Sequence, residues 1–341
     1  MALTSPDKFR GTLTAAEAAA RLAAGLRSAG FDEVRELPLA DGGEGTLDAL
    51  LAARGGSLRP ARVTGPLGEP VDAAWAMLPD GAAVVEMARA SGLALVSGRN
   101  DPLRASSRGT GELIAAAARA GARRIIVAVG GSATTDGGLA ALQVLGWSLA
   151  GLDVTVACDV RTRFLDAPRL FAPQKGASAA QVSLLSRRLE RLADEFRDRT
   201  GVDVTALEGS GAAGGLAGGL AAIGARLEPG FEVVARAAGF EDALAGVDLV
   251  VTGEGKVDMT SLDGKVVGGV LEWAAEEGVP NRAVVAGQVT PEAREEISVL
   301  GAVDVFALTD RVWQAGEAFA RAGLLVEEAA IELGRKVLSE A

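Results

Sequence analysis

Short apolar runs alternate with Ala-rich stretches whose apolar positions recur every third or fourth residue, the two periodicities of buried strands and amphipathic helices. Leu3–Pro6 reads as a strand opening into a loop at Asp7–Gly11. Thr14-Ala15-Ala16-Glu17 is a capping box, and the helical pattern behind it runs to about Ser28. Val34–Leu39 is a strand, followed by the loop Ala40–Gly45 and another helix. From Arg62 to Met87 the pattern changes: turn signals at Gly65-Pro66 and Pro79-Asp80-Gly81 separate short runs, which predicts an antiparallel meander. Helix Thr110–Ala120 leads into strand Ile125–Val129, a Gly-rich loop and a further helix. Asp153–Ala157 is a buried strand, and residues 177–199 form a charged amphipathic helix. Val247–Val251, Arg282–Ala286 and Val303–Ala307 each follow a helix, as parallel strands do, and Ala318–Leu338 closes the chain as a long helix. The βα pattern therefore occupies both ends with the meander between them. This predicts an α/β fold in which a doubly wound parallel-sheet domain, residues 1–62 and 230–341, is interrupted by an inserted mixed α/β domain, residues 63–229.

Composition sharpens this picture. A chain of 341 residues that is 49% hydrophobic is long and apolar enough for two globular domains. The net charge of −11, with no basic run, argues against a nucleic-acid partner. No apolar run is long enough to predict a membrane span, and the N-terminus lacks the basic and apolar regions of a signal peptide. A single cysteine, Cys158, forms no internal disulfide, which fits a cytoplasmic location. With no histidine, Ser-His-Asp and Cys-His catalysis and His-ligated metal sites are excluded. With no tyrosine either, proton transfer falls to Asp, Glu, Lys, Ser, Thr, Cys158 or water, and any metal is expected to be a hard ion held by oxygen, Mg²⁺ foremost.

The basic residues are divided unevenly. Of 34, only Lys8, Lys175, Lys256, Lys265 and Lys336 are lysine, and all but Lys336 sit in loop-like, Gly- or Asp-flanked stretches. Lysine is a compact point charge suited to phosphate, so these loops point to phosphoryl chemistry. Four Gly-rich segments add to this: Asp41-Gly42-Gly43-Glu44-Gly45, Gly130–Gly138, Gly209–Gly215 and Thr252–Lys265. Glycine lets backbone N–H groups approach phosphate oxygens, and a following helix N-terminus favours an anion. Asp41 and Asp136 are equally placed to serve only as helix caps. Gly209–Gly214 fits G-x-G-x-x-G, but Glu228 is followed by Pro229-Gly230 and does not end a second strand, so the nicotinamide-dependent dehydrogenase that this motif suggests is the weaker reading. Arg108, in Ser106-Ser107-Arg108-Gly109-Thr110, is a candidate for a substrate carboxylate or for a turn and cap. Cys158 reads as a small core residue, and Asp159 beside it as the functional candidate.

Six separated motifs appear in order: Pro6–Thr12, Ala40–Thr46, Gly130–Gly138, Cys158–Val160, Pro173–Ala177 and Thr252–Lys265. Together they resemble the bacterial glycerate kinase family of the glycerate 2-kinase type, over nearly the whole chain. The resemblance implies a Rossmann-like domain with a second domain inserted, an active site in the cleft between them, and ATP-dependent phosphorylation of D-glycerate with Mg²⁺, most often to 2-phosphoglycerate. A kinase for another small hydroxy acid is the alternative, and a homodimer is left open. Three positions depart from the family pattern: Thr135 stands where Asn is usual, Thr260 where Gln is usual, and the segment after Asp159 looks shortened before Pro173.

On this reading the catalytic candidates are Lys8, Asp41, Asp258 and Lys265. The lysines contact the transferred phosphoryl group or the glycerate carboxylate, and Asp41 or Asp258 takes the hydroxyl proton. Candidates for holding Mg²⁺ are Asp136, Asp159 and Glu254. Substrate and phosphate contacts fall to Gly42, Gly43, Glu44, Arg108, Gly130, Gly131, Ser132, Thr134, Lys175, Gly211, Gly214 and Lys256.

Overall fold

The computed structural model describes residues 1–301, 303–313 and 315–340. Its strands, in chain order, are β1 (Ala2–Thr4), β2 (Val34–Glu36), β3 (Ser57–Thr64), β4 (Pro70–Met77), β5 (Ala83–Glu86), β6 (Arg124–Ala128), β7 (Asp153–Cys158), β8 (Arg226–Pro229), β9 (Leu249–Thr252), β10 (Lys256–Val257), β11 (Asn281–Ala286), β12 (Gln288–Val289) and β13 (Val303–Ala307). The chain divides into two compact units. The first comprises Met1–Asp41, Asp48–Ala53 and the chain from Val234 on; the second comprises Gly42–Leu47 and Arg54–Val233.

The first unit is built on a five-stranded sheet in the order β13-β11-β9-β1-β2, with every pairing parallel. Counted within the sheet this is the doubly wound order 2-1-3-4-5, which reverses direction between β1 and β9. Strand β11 shows how both faces are filled. Ala283 and Val285 point into one apolar cluster with helices Ala15–Ala29 and Ala322–Glu340, whereas Val284 and Ala286 point into another with Val267, Leu271, Ala293 and Ile297. A strand buried on both faces reads as a continuous apolar run, and Ala283–Ala286 is one. The capping box at Thr14 forms as its spacing requires: Thr14 Oγ1 accepts the Glu17 N–H, and Glu17 Oε2 accepts the Thr14 N–H at 2.8 Å. The expected closing helix is two helices, Ala315–Ala320 and Ala322–Glu340.

The second unit holds a six-stranded sheet in the order β3-β4-β5-β6-β7-β8. The first three strands form an antiparallel meander, and β5 to β8 are parallel. The meander begins at Ser57, earlier than the turn signals suggested, because β3 pairs with β4 in unbroken register from Ser57↔Met77 to Thr64↔Pro70. The exposed positions of β3 mask its strand character in sequence, since it is an edge strand with only Val63 buried. One apolar cluster, including Val85, Val127, Val156, Phe164 and Phe196, fills the unit. Among the described residues no helix is long and apolar enough to cross a membrane.

Candidate active site

In open α/β sheets ligands bind outside the carboxyl ends of the strands, where the order reverses. In the first unit that point lies between β1 and β9, and the two following loops are stitched together. The Ser5 N–H donates to Val251 O (2.8 Å), the Asp7 N–H to Gly253 O (2.8 Å), and Thr252 Oγ1 to Ser5 O (2.9 Å). Gly253 is required for close approach: a Cβ there would collide with the carbonyl oxygen of Val285 on β11.

A cavity of about 490 Å³ opens over these ends. The β1 loop contributes Asp7, Lys8 and Arg10, the segment after β2 contributes Asp41, and the β9 loop contributes Glu254 and Lys256. Lys265, the N-cap residue of helix Val266–Glu276, also lines it, as do Gln288 and Thr309. Five of the residues singled out in the sequence, Lys8, Asp41, Glu254, Lys256 and Lys265, thus share one cavity.

Sequence reasoning missed Asp7. It is buried, and burial pushes its carboxyl up to about 7; the Lys8 ammonium works against this, and the Asp41 and Glu254 carboxylates add to it. Its Oδ1 accepts the Lys8 backbone N–H at 2.6 Å and lies 3.8 Å from Lys8 Nζ. The available signal was position, since Asp7 is the first acid past the end of β1. Glu254 is also raised, by burial first, against a hydrogen bond from Ser261 and the Lys265 charge, with Asp41 and Asp258 pushing it further. The cavity therefore concentrates carboxylates in a partly dry setting and sets lysines among them.

Asp258 differs. It caps helix Met259–Leu262, where its Oδ1 accepts the Thr260 N–H (3.0 Å) and hydroxyl (2.6 Å). Those bonds, led by the hydroxyl, hold its carboxyl below the usual range. Its Oδ2 lies 3.8 Å from Lys256 Nζ.

The other candidates belong to the second unit. Lys175 is buried, and its ammonium donates to Ser132 Oγ (2.7 Å) and Thr134 O (2.6 Å). Burial pulls this amine down to about 7, against the pull of Asp136. Asn100 Nδ2 donates to Ala133 O (3.0 Å) and Lys175 O (2.9 Å), tying the same loop from a second side. Asp136 Oδ2 accepts the Ser107 N–H (2.9 Å) and hydroxyl (2.8 Å), and Oδ1 accepts the Gly138 N–H (3.2 Å). Its cap-like bond to Gly138 is thus joined by two longer-range ones.

The glycines here permit close packing. A Cβ on Gly130 would meet Gly43 Cα, one on Gly131 would meet the Glu44 side chain, and one on Gly214 (φ +66°) would strike Thr134 O. Gly211 donates its N–H to Thr162 O (2.9 Å), and Gly42 lies against Ala157. Arg108 pairs with Glu112 at 3.1 Å, an ion pair within one helix turn. Asp159 is half-buried beside Cys158, whose thiol burial pushes up to about 12, so the cysteine is inert as a nucleophile. Gly209–Gly214 follows a turn rather than a strand, which removes the context that a dinucleotide fingerprint needs.

A cavity lined by lysines and carboxylates at the switch point of a doubly wound sheet describes a small-molecule enzyme that handles anions. Comparison with known proteins makes this specific. The pattern of the Glycerate kinase family matches residues 2–152 and 147–338. The chain is 39% identical to glycerate 2-kinase of Escherichia coli over 92% of both chains, and 40% identical to glycerate kinase of Bacillus subtilis over 82% of both. It also resembles the crystal structure of a protein assigned as glycerate kinase 2 from Salmonella typhimurium LT2, with a TM-score of 0.84 at 32% identity over 99% of this chain and 98% of that one. The chain belongs to the glycerate kinase family and is a glycerate-phosphorylating enzyme.

Proposed function

We propose that the enzyme transfers the γ-phosphoryl group of ATP to the 2-hydroxyl of D-glycerate, giving 2-phosphoglycerate and ADP. The observation that carries this reading is the gathering of Lys8, Lys265, Asp7, Asp41 and Glu254 in one cavity at the sheet's switch point. Phosphoryl transfer is mostly positioning and electrostatic stabilisation, and this set has the parts for both. Lys8 and Lys265 neutralise the transferred phosphoryl group and the substrate carboxylate. The hydroxyl oxygen forms the new P–O bond, the bond from the γ-phosphorus to the bridging oxygen breaks, and the hydroxyl proton passes to the Asp7–Asp41 carboxylate pair. A carboxyl raised to about 7 is matched to a base working near neutral pH. Asp258, held ionised by its capping bonds, is the poorer base. The glycerate 2-kinase from Escherichia coli among the relatives supports the 2-position.

The donor set fits Mg²⁺. Among the described residues no group of three or more His, Cys, Asp or Glu is arranged around a metal. Mg²⁺, however, is commonly held by one or two carboxylates together with substrate phosphates, and Glu254 is a half-buried oxygen donor lining the cavity. When bound with the nucleotide, the ion would offset negative charge on the phosphates.

Incubation with D-glycerate, ATP and Mg²⁺, followed by phosphorus NMR, tests the proposal. A 2-phosphoglycerate signal supports it, a 3-phosphoglycerate signal moves the attack to the other hydroxyl, and ADP release no faster than in the glycerate-free control overturns it.

A further inference from the structure

The cavity of the first unit has a second side that the chemistry above leaves unused. Besides the charged residues it is lined by Leu308, Ala318, Phe319 and Ala322. Leu308, Ala318 and Ala322 are buried apolar lining, whereas Phe319 is 58% exposed. Its ring lies over the β1 loop, so close to Gly11 that a Cβ there would come within 3.0 Å of it. Gln288 and Thr309 line the same cavity and supply polar groups alongside the apolar wall. A small hydroxy acid offers nothing apolar to match this wall, and a cavity of about 490 Å³ is in the range that holds a drug-sized ligand.

We propose that this wall seats the nucleobase of the phosphoryl donor, with the Phe319 ring stacking on the base and the phosphate chain running toward Lys8 and Lys265. The assignment rests on the ATP-dependent reading above. Flat heteroaromatic bases stack on aromatic side chains whatever their hydrogen-bonding edge, so Phe319 provides affinity while Gln288 and Thr309 are placed to read the edge. Loss of one such stack weakens binding by about tenfold or more.

ADP and inorganic pyrophosphate, which lacks the base, are titrated calorimetrically into the wild type, Phe319→Ala and Phe319→Trp, and KM is measured for ATP and D-glycerate separately. The expected result is ADP affinity down about tenfold and KM for ATP up in Phe319→Ala. Pyrophosphate affinity and KM for glycerate stay at wild-type values, and Phe319→Trp restores ADP binding. Unchanged ADP affinity in Phe319→Ala, with the wild type binding ADP, overturns the proposal. So does an equal loss for pyrophosphate and glycerate, which would make the ring a structural element. A wild type that neither binds ADP nor turns over ATP overturns the kinase reading itself, which separates the two failures.

Discussion

Asp7 Oδ1 stands 3.8 Å from Lys8 Nζ and accepts the Lys8 backbone N–H at 2.6 Å, yet this neighbour does not keep the Asp7 carboxyl in the ordinary range. Burial outweighs the Lys8 charge, and Asp41 and Glu254 reinforce it, so the group titrates at about 7. A base must be deprotonated to act, so kcat/KM should rise with pH through an apparent pKa near 7. That value belongs to the coupled carboxylates together rather than to one residue. A pH–rate profile of the wild type should show this limb, and the profile of Asp7→Asn should lack it and sit about 10² to 10⁴ lower. A wild-type profile flat from pH 5 to 9 would remove Asp7 from the base role.

The same group makes a stability prediction with a definite sign. Its folded-state pKa lies above its ordinary value of 3.8, so the native protein binds the proton more tightly than the unfolded chain does. The stability it contributes is full below pH 3.8 and is lost as the pH rises to about 7. The upper bound on that loss is about 4 kcal/mol, at ~1.4 kcal/mol per pKa unit. Asp7→Asn keeps an oxygen for the Lys8 N–H and removes the buried charge. It should therefore melt higher than wild type at pH 8 and show less advantage at pH 4, by thermal unfolding at both values. Lower activity with higher stability is the pattern expected of a strained catalytic group.

Asp41 and Asp258 separate along the same line. Asp258 spends its carboxylate on the Thr260 N–H and hydroxyl, and Asn caps a helix about as well as Asp. Asp258→Asn should keep turnover within a few-fold of wild type, and Asp258→Ala should cost about 1 kcal/mol of stability. Asp41 lines the cavity, so Asp41→Asn should lower kcat by about 10² or more with the fold intact. Steady-state kinetics of the two Asn variants decide the matter. Near-wild-type turnover in Asp41→Asn would sink the base role of Asp41.

Much of this was legible in the chain because local rules and tertiary structure agree. The Thr14 capping box, the strand Val303–Ala307 and the apolar run Ala283–Ala286 all read directly. The scarcity of lysine singled out Lys8, Lys256 and Lys265, which share the cavity. What sequence could not separate was the purpose of a glycine. Gly130, Gly131 and Gly214 read as a phosphate cradle in sequence, and in the fold each also meets another part of its own unit at close range. Backbone approach of that kind depends on which loops become neighbours, and no residue spacing reports it. Asp7 escaped notice for a related reason: its unusual proton affinity comes from burial and from Asp41 and Glu254, remote in sequence.

Lys175 carries the last prediction. Its ammonium is buried against Ser132 Oγ and Thr134 O, and burial lowers it from 10.5 to about 7, with Asp136 opposing. A lowered folded-state pKa means that the native protein binds this proton less tightly than the unfolded chain. The stability contributed is full above pH 10.5 and is lost as the pH falls to about 7. The direction is opposite to that of Asp7 and the window is separate, so the two can be resolved in one protein. Lys175→Met keeps a long unbranched side chain but leaves Thr134 O without this donor. It should lose about 1–3 kcal/mol at pH 9, where the wild-type amine is neutral and well placed. The gap should narrow toward pH 7, because over this range the unfolded chain's lysine is charged while the native amine stays largely neutral, and the wild type loses that stability. Denaturant unfolding of both proteins at pH 7, 8 and 9 measures this. Parallel curves would mean that Lys175 stays charged in the fold, with the Asp136 carboxylate outweighing burial.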